Sequence, residues 1–212
     1  MHIPEIFAEY DSTEIVRLIS AHPLASIIYS EASGLDAEHV PLIFDGVDRL
    51  IGHFAANNAI IKTLKNGDAV LAIFSGEDSY ISPNWYPTKT QHHQHVPTWN
   101  LQKVHVYGKL NFLSGEKSAR AVVGKLTKSF EILTNGKSAW KMSDAPAEYI
   151  DEMLSKITPF EIEIDRVTAK SKVSQNRGVE DFQSVISAME STGRLELSDR
   201  MKRFIDTTSG TK

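Results

Sequence analysis

Short apolar runs separated by turn residues occupy the first half of the chain, and this spacing constrains the fold most. The runs that predict strands are residues 24–29, 39–44, 49–54, 69–74, 79–82 and 104–112. Turn residues such as Asp45-Gly46 and Ser75-Gly76 follow two of them. Short strands at this spacing are typical of an antiparallel barrel, closed or nearly closed, rather than of a sheet in which strands and helices alternate.

The remainder of the chain has helical periodicity with one further strand. Ala119, Val122 and Leu126 repeat at helical spacing and predict a helix that ends at Asn135-Gly136. The other predicted elements are a short helix opened by Pro146, an alternating strand over 157–167, and C-terminal helices over 179–189 and 198–205. The fold class is therefore mainly β (α+β), with flanking and C-terminal helices.

Composition excludes several classes of site. The 212 residues contain no cysteine, which excludes disulfides, zinc–thiolate sites, iron–sulfur clusters and thiol nucleophiles. The net charge of −4 argues against a dedicated DNA-binding domain. The first residues lack the pattern of a secretory signal, and no apolar run approaches the roughly 20 residues that span a bilayer. We therefore expect a cytoplasmic protein that does not enter a membrane.

Two rigid aromatic segments suggest a site for a flat ligand. Residues 80–87 read Tyr-Ile-Ser-Pro-Asn-Trp-Tyr-Pro, and residues 96–100 read Val-Pro-Thr-Trp-Asn. Proline restricts the backbone, and aromatic rings on a rigid loop offer flat surfaces to a planar molecule. The alternative is a hydrophobic loop that only covers one end of the barrel.

The histidines are weaker candidates. His92, His93 and His95 invite a metal or haem hypothesis, but their loop is polar and has no nearby carboxylate in sequence to orient an imidazole, so we predict a solvated loop and no metal site. His53 and His105 lie on predicted strands, where a structural role is commoner than catalysis. The chain also lacks a nucleophile elbow, a P-loop and a Rossmann fingerprint.

A third polar cluster follows the last predicted strand. Residues 171–177 read Ser-Lys-Val-Ser-Gln-Asn-Arg and combine two cations with hydroxyl and amide donors. A strand-to-helix junction of this kind suits an anion such as phosphate. The alternative is ordinary capping of the next helix by Ser174 or Asn176.

In this order the motifs resemble the PaiB family of FMN-binding negative transcriptional regulators. The segments that carry the resemblance, which extends over essentially the whole chain, are Gly52-His53-Phe54-Ala55, residues 80–87, residues 96–100, Val104-His105-Val106-Tyr107-Gly108 and Lys172-Val173-Ser174-Gln175-Asn176-Arg177. The resemblance implies an FMN-binding split β-barrel of antiparallel Greek-key type, found as a homodimer with FMN near the subunit interface.

Two positions depart from the family pattern. Ala56 and Ala59 stand where the family commonly has an arginine and a proline. If that arginine holds the phosphate of FMN, another cation must replace it here, and Lys62, Lys89 and Arg177 are the candidates. The predicted cofactor-binding residues are His53, Lys62, Tyr80, Ser82, Trp85, Tyr86, Lys89, Thr98, Trp99, Asn100, Gln175 and Arg177.

We predict a flavin-binding domain over 1–174, with inserted helices at about 115–154, and a helical extension over 175–212 that packs on the barrel or on a dimer partner. The predicted function is that of an FMN-binding regulatory protein resembling PaiB-type negative transcriptional regulators, which acts without a conventional DNA-binding motif; direct nucleic-acid binding is not expected. The alternatives are a flavin reductase or oxidase, and a haem-binding or haem-degrading split barrel. No catalytic residue is assigned.

Overall fold

The computed structural model describes residues 1–209, with side chains described as far as Ile205. The strands are β1 (Ala8–Glu9), β2 (Leu24–Glu31), β3 (Gly34–Pro41), β4 (Ile43–Phe44), β5 (Arg49–Ala55), β6 (Asp68–Ile81), β7 (Thr98–Phe112) and β8 (Ile157–Lys172). The helices are α1 (Ser12–Ala21), α2 (Ile60–Thr63), α3 (Lys89–His92), α4 (Glu116–Asn135), α5 (Ala147–Leu154), α6 (Val179–Ser191) and α7 (Leu195–Ser209). Within this range, every helix is too short or too polar to cross a lipid bilayer.

The strands form one antiparallel sheet with the order β3-β2-β6-β7-β8-β5-β4, and β1 pairs with β8. Within residues 1–209, the order begins at β3 and ends at β4 without a pairing that joins them, so the sheet is not closed. The predicted antiparallel fold with flanking and C-terminal helices is confirmed. The last residues of the predicted C-terminal extension, 210–212, lie outside the described part.

Two predicted strand boundaries were wrong. Residues 39–44 belong to two strands, β3 and β4, because the chain leaves the sheet at Leu42. The predicted break at Ser75-Gly76 does not occur, since β6 continues through both residues. Gly76 lies at a close approach rather than at a turn: a Cβ at this position would lie 3.2 Å from Leu18 Cδ1 and 3.3 Å from Gln102 Cβ, which is tighter than ordinary van der Waals contact.

The chain divides into two compact units. We call Met1–Ala21, Ser75–Val104 and Thr168–Lys212 the terminal unit, and His22–Phe74 and His105–Val167 the central unit. The long strands β6, β7 and β8 contribute residues to both.

The central unit is built on antiparallel strand pairing, and of the two pairings that follow only β2 with β3 is a hairpin. β2 pairs with β3 from Leu24↔Pro41 to Glu31↔Gly34, and β5 pairs with β8 around Gly52↔Phe160. The amphipathic helix α4 buries Ala119, Val122 and Leu126, as the periodicity predicts. Val122 and Leu126 pack with Ile51 of β5, and Ala119 packs with residues of α5.

The terminal unit packs α6 and α7 against the ends of β6 and β8. Its apolar cluster consists of Ile81, Tyr86, Val173, Phe182, Val185, Ile186, Met189, Leu197 and Met201. Ile81 and Val173 come from strand ends, so the helices cover one face of the sheet there. The helices of this cluster therefore leave the opposite face of the same strands uncovered.

Candidate functional site

Three neighbouring strands of the terminal unit present a half-exposed face. Successive side chains of a strand point to opposite faces, and Ser79 and Ile81 of β6 are buried while Tyr80 is exposed. On β7, Asn100 is buried and Trp99 is exposed. On β8, the residues on either side of Lys172 are buried while Lys172 is half-buried. Tyr80, Trp99 and Lys172 therefore share one face, which we call the open face.

The open face carries an aromatic pair. The rings of Tyr80 and Trp99 lie edge to face, with centroids 6.0 Å apart and an interplanar angle of 76°. Both side chains are far from buried, at 46% and 53% exposure. Two large rings that pack on each other yet remain half in water leave aromatic surface available to a planar ligand.

Beside the aromatic pair, Lys172 forms a polar contact across the sheet. Its Nζ donates a hydrogen bond to Thr98 Oγ1 and lies 5.8 Å from the ring centroid of Phe7. Burial lowers the pKa of Lys172, and the nearby charges of Lys170 and Arg177 lower it further. The ammonium group therefore lies in a partly dry, positive environment.

The turn after β8 is held by side chains that the sequence predicted as cofactor ligands. Ser174 has a positive φ of 65°, and its Oγ donates to Oδ1 of the buried Asn100 at 3.1 Å. Gln175 Oε1 accepts from the backbone N–H of Val173 at 2.7 Å, and its Nε2 donates to the carbonyl oxygens of Ser171 and Ile6. Asn100 and Gln175 thus shape the turn, and their polar groups have protein partners.

The first aromatic segment separates into exposed and buried parts. Ser82 Oγ accepts from the backbone N–H of Asn84 at 3.2 Å and caps a short 3-10 helix, Pro83–Trp85. Trp85 packs against the helical cluster, and Tyr86 lies inside it at 2% exposure. Its Oη is buried and has no hydrogen-bond partner among the described residues. Only Tyr80 of this segment's three aromatic rings belongs to the open face.

The loop that contains His92, His93 and His95, which we call the histidine loop, is anchored by contacts within the protein rather than freely solvated. Our expectation that no carboxylate would orient an imidazole there was wrong, because Asp181 of α6 reaches the loop. Its Oδ2 accepts from Thr88 Oγ1 at 2.7 Å and lies 3.4 Å from His95 Nε2. The imidazole of His95 is 6% exposed. Among the described residues no group of three metal-ligating side chains is placed to hold a metal ion.

Arg177 and Lys89 pack around this loop. The Arg177 guanidinium lies over the Tyr86 ring, 4.7 Å from its centroid, and Nη1 is 3.3 Å from His95 Nδ1. Because arginine can only donate, Nδ1 accepts and the proton of a neutral His95 is on Nε2, toward Thr88 and Asp181. Lys89 Nζ donates to the side-chain oxygen of Asn84.

The other predicted site residues belong to the central unit. His53 lies on β5 and His105 on β7, and each has a buried Nδ1 without a partner among the described residues. Burial lowers the pKa of both imidazoles, which keeps them neutral at pH 7. Lys62 is exposed on α2, and Ala56 is also exposed.

Comparison with known proteins decides the family. The sequence model of the family described as "Putative FMN-binding domain" matches residues 1–166. The chain belongs to this family. The Bacillus subtilis member named "Protease synthase and sporulation protein PAI 2" is 31% identical over 194 residues, which cover 90% of this chain and 89% of that protein. The resemblance to the PaiB family is therefore confirmed.

Other relatives and structures agree on the fold. A Saccharomyces cerevisiae protein described only as uncharacterized is 33% identical over 141 residues, covering 55% of this chain and 82% of that protein. Among solved structures, a flavocytochrome from Azotobacter vinelandii has a TM-score of 0.61 at 14% identity, covering 86% of this chain and 78% of that chain. An FAD- and haem-binding protein from Mycobacterium smegmatis has a TM-score of 0.59 at 12% identity, with 84% and 79% covered. These similarities confirm the predicted split-barrel fold.

Membership in the FMN-binding family agrees with the predicted cofactor, FMN. The open face suits such a molecule, which combines a flat ring system with a phosphate. The half-exposed rings of Tyr80 and Trp99 can contact a flat ring system, and the ammonium group of Lys172 can pair with a phosphate. Lys172 belongs to one of the sequence motifs, but no local pattern singles it out as a site residue, because its contact with Thr98 joins residues 74 positions apart.

Proposed function

We propose that this chain binds FMN on the open face of the terminal unit. The observation that carries the proposal is the shared face of the exposed pair Tyr80–Trp99 and the half-buried Lys172. Aromatic side chains bind a planar ring through their faces and edges, and a cation binds a phosphate through charge-assisted hydrogen bonds. Thr98 precedes Trp99 on β7 and so belongs to the opposite face, where its Oγ1 accepts a hydrogen bond from Lys172 Nζ.

We also propose a supporting role for other predicted residues, which hold the segments that carry the open face. Ser82, Trp85, Tyr86 and Lys89 shape the segment that follows Tyr80, and Asn100, Gln175 and Arg177 hold the turn that follows Lys172. His53 and Lys62 belong to the central unit and stay predictions of the sequence. When FMN is bound, it supplies one- and two-electron redox chemistry, while the protein supplies binding and orientation.

The proposed biological role is transcriptional regulation without direct DNA binding. The Bacillus subtilis relative carries the name "Protease synthase and sporulation protein PAI 2", and its link to sporulation supports a regulatory role. Basic residues in or next to the C-terminal helices are engaged with carboxylates: Arg200 with Glu9, Lys202 with Glu190, and Arg194, which precedes α7, with Glu77. Cations held in ion pairs are poorly available to a phosphate backbone.

The assembly and location remain proposals. We propose a cytoplasmic homodimer, and the exposure of large apolar side chains in the terminal unit supports an interface there: Val96 is 68% exposed and Val179 is 88% exposed. Size-exclusion chromatography with light scattering tests the dimer. A mass of one chain at micromolar concentration contradicts it.

The domain division is also a proposal. Residues 1–174 form the flavin-binding part, and the helices beyond them form an extension that packs on it. The mixed cluster of Tyr86 and Val173 with Phe182, Val185 and Met201 supports packing within one chain. Expression of residues 1–174 alone tests the division, since loss of these helices exposes Val173 and Tyr86 to water. A well-folded 1–174 fragment that still binds FMN supports the proposed flavin-binding part.

A flavin reductase or oxidase is the second candidate. The observation in its favour is that His53 and His105 are half-buried imidazoles with lowered pKa values, and their buried Nδ1 atoms lack partners in the described part of the chain. Such a nitrogen can accept a hydrogen bond or hold a proton for a bound ligand. Neither residue is assigned a catalytic step.

An absorption spectrum separates these functions. The protein is titrated with FMN, then mixed with NADH or NADPH under anaerobic conditions. We expect perturbed flavin bands that neither nicotinamide bleaches. Bleaching supports the reductase instead, a Soret band after purification supports haem binding, and an unperturbed FMN spectrum together with an unchanged melting temperature contradicts flavin binding.

A gel-shift assay tests the absence of direct DNA binding. It is run at a stated salt concentration, because protein–DNA affinity changes steeply with salt. We expect no shift of random-sequence DNA or of DNA upstream of the chain's own gene at 0.15 M salt. A shift at nanomolar protein contradicts this part of the proposal.

A further inference from the structure

A small cavity of the terminal unit lies on the face of β8 opposite to Lys172. Ser171 precedes Lys172 on the strand and therefore points away from the open face, and it lines this cavity. The cavity has a volume of about 340 Å³, and its walls come from the N-terminal segment, α1, the end of β8 and α7. This volume lies at the lower end of the range of roughly 300–1,000 Å³ that small-molecule sites occupy.

The cavity walls carry charged side chains that are almost shielded from water. The side chains of Glu9, Glu14 and Arg200 are 10%, 11% and 8% exposed. Arg200 Nη2 donates to Glu9 Oε2 at 2.6 Å, and Arg203 Nε donates to Glu14 Oε1 at 2.8 Å. Each buried charge thus has an opposite charge beside it, because removing an unpaired ion from water is costly. These ion pairs fix the charged groups in place around the cavity.

Two side chains of these walls have donors that no acceptor uses. A guanidinium has five N–H groups, yet that of Arg200 makes a single hydrogen bond within the described residues, the bond to Glu9. Its buried Nε has no hydrogen-bond partner there, although Glu14 Oε2 lies 3.5 Å away. The buried Ser171 accepts from Gln102 Nε2 at 3.0 Å, and its own hydroxyl proton has no acceptor in the same part of the chain. Because buried donors are normally paired, they indicate a ligand that brings acceptor oxygens.

The charges around the cavity also restrict the net charge of a ligand. Three carboxylates and two guanidiniums line it, and Arg17, whose Nε lies 3.0 Å from Glu14 Oε2, adds a third guanidinium. The balanced set is Glu9, Asp11, Glu14, Arg17, Arg200 and Arg203. Asp11 is exposed, and its Oδ1 accepts from the Thr13 backbone N–H at 2.8 Å, while its Oδ2 has no partner in the described residues. A ligand that carries both charges keeps this balance, whereas a simple anion would face Asp11 unpaired.

We propose that the cavity binds a free α-amino acid with an apolar side chain. The carboxylate accepts hydrogen bonds from Arg200 and Ser171, and the ammonium group donates to Asp11. The side chain packs against Ile6 and Phe204, the two largest apolar residues of the lining. This inference does not depend on flavin binding, because the cavity lies on the face of β8 away from the open face.

The first test is a thermal-shift screen of the full chain with L-leucine, L-isoleucine, L-valine and L-methionine, followed by isothermal titration calorimetry. We expect at least one of them to raise the melting temperature, because a ligand that binds only the folded state stabilises it. The matched amine and the matched carboxylic acid of that amino acid should each bind at least about tenfold more weakly, since each lacks one charge-assisted contact. No shift with any of the four overturns the proposal, and so does equal affinity for the carboxylic acid.

Asp11→Asn tests the ammonium contact without removing a helix cap. Asparagine caps a helix as well as aspartate does, so the bond from the Thr13 N–H is kept while the charge is lost. We expect this variant to weaken amino acid binding roughly tenfold. Asp78→Asn is the matched control, because it removes the same charge from an exposed aspartate of the same unit that is paired with Lys103. Equal weakening by both variants contradicts the assigned contact.

Two further variants test the carboxylate end. Ser171→Ala removes the hydroxyl donor, and Arg200→Lys keeps a charge beside Glu9 but loses the guanidinium fork. We expect Ser171→Ala to weaken amino acid binding about threefold to tenfold, and Arg200→Lys to weaken it about tenfold or more. Circular dichroism and melting temperature without ligand verify that each variant is folded. Unchanged binding in folded Asp11→Asn and Ser171→Ala shows that the amino acid binds elsewhere and refutes the site.

Discussion

Asp181 and Thr88 form two hydrogen bonds across 93 positions of sequence: the Thr88 backbone N–H donates to Oδ1 at 3.2 Å, and Thr88 Oγ1 donates to Oδ2 at 2.7 Å. Asp181 is 4% exposed, so both bonds are shielded from water. Together they tie the histidine loop to the first turn of α6. The loop is therefore part of the folded terminal unit.

We predict that Asp181→Asn lowers the free energy of unfolding by about 1–3 kcal/mol, because an amide can accept at only one of the two positions and leaves a buried donor unpaired. Urea denaturation measures the change. Glu180→Gln is the control, since Glu180 is adjacent and exposed. Equal stability of Asp181→Asn and the wild type contradicts the anchoring role.

Gly108 is required by a close backbone approach. A Cβ at this position would lie 2.2 Å from the carbonyl oxygen of Glu163 and 2.7 Å from Ile162 Cγ2. Two backbones must separate to admit it, so we expect Gly108→Ala to destabilise the protein by roughly 3 kcal/mol or more, or to prevent folding. Gly178→Ala is the control, because no atom lies within 4 Å of its added Cβ. A thermal melt of both variants checks the prediction, and similar melting temperatures would refute it.

Glu14 links stability to pH. Burial raises the pKa of Glu14, but hydrogen bonds from Arg203 and Arg17 and the charge of Arg200 outweigh it, so the pKa lies below its ordinary value of 4.5. A carboxyl whose pKa is lower when folded stabilises the protein above the unfolded-state value, and this contribution is lost as pH falls through the folded-state value.

We therefore expect Glu14→Gln to be less stable than the wild type at pH 7, with the difference shrinking below about pH 4.5. Chemical denaturation between pH 3 and pH 7 measures it. Glu148→Gln, on an exposed position of α5, serves as the control for the general effect of net charge. A stability difference for Glu14→Gln that stays constant over this range would show that the ion pairs are not its source.

Trp99 should contribute to flavin affinity through its ring. We expect Trp99→Leu to weaken binding of both FMN and riboflavin up to about tenfold, the range that aromatic contacts provide. It should also relieve quenching of flavin fluorescence, because an indole close to the flavin ring quenches it. Trp140→Leu is the matched control: Trp140 is 41% exposed and belongs to the central unit. Unchanged affinity and quenching in Trp99→Leu would exclude the aromatic pair from the site.

The local pattern of apolar residues in the sequence was sufficient to predict most of the secondary structure. Helical spacing located α4, and the burial of Ala119, Val122 and Leu126 follows it. Period-two alternation located β7 and the first part of β8. Turn residues were less reliable: Ser75-Gly76 has the composition of a turn but lies inside β6, because close packing against Leu18 and Gln102 also selects glycine.

The candidate site was predicted as two aromatic segments and a basic one, and the residues within them could not be sorted by sequence. Tyr80 and Tyr86 belong to the same motif, yet one is 46% exposed and the other 2%. The difference arises because α6 and α7 cover one face of the strand ends. Composition reports which side chains are aromatic, whereas exposure depends on what packs against them.

The sequence by itself determined the fold class, the family and the cofactor expected, because periodicity and contiguous motifs are local properties of the chain. Only the tertiary structure decided that Lys172 meets Thr98 and that Asp181 orients His95. Both contacts join segments more than 70 positions apart. Their formation depends on strand order and helix packing, which bring distant residues together and which no local pattern encodes.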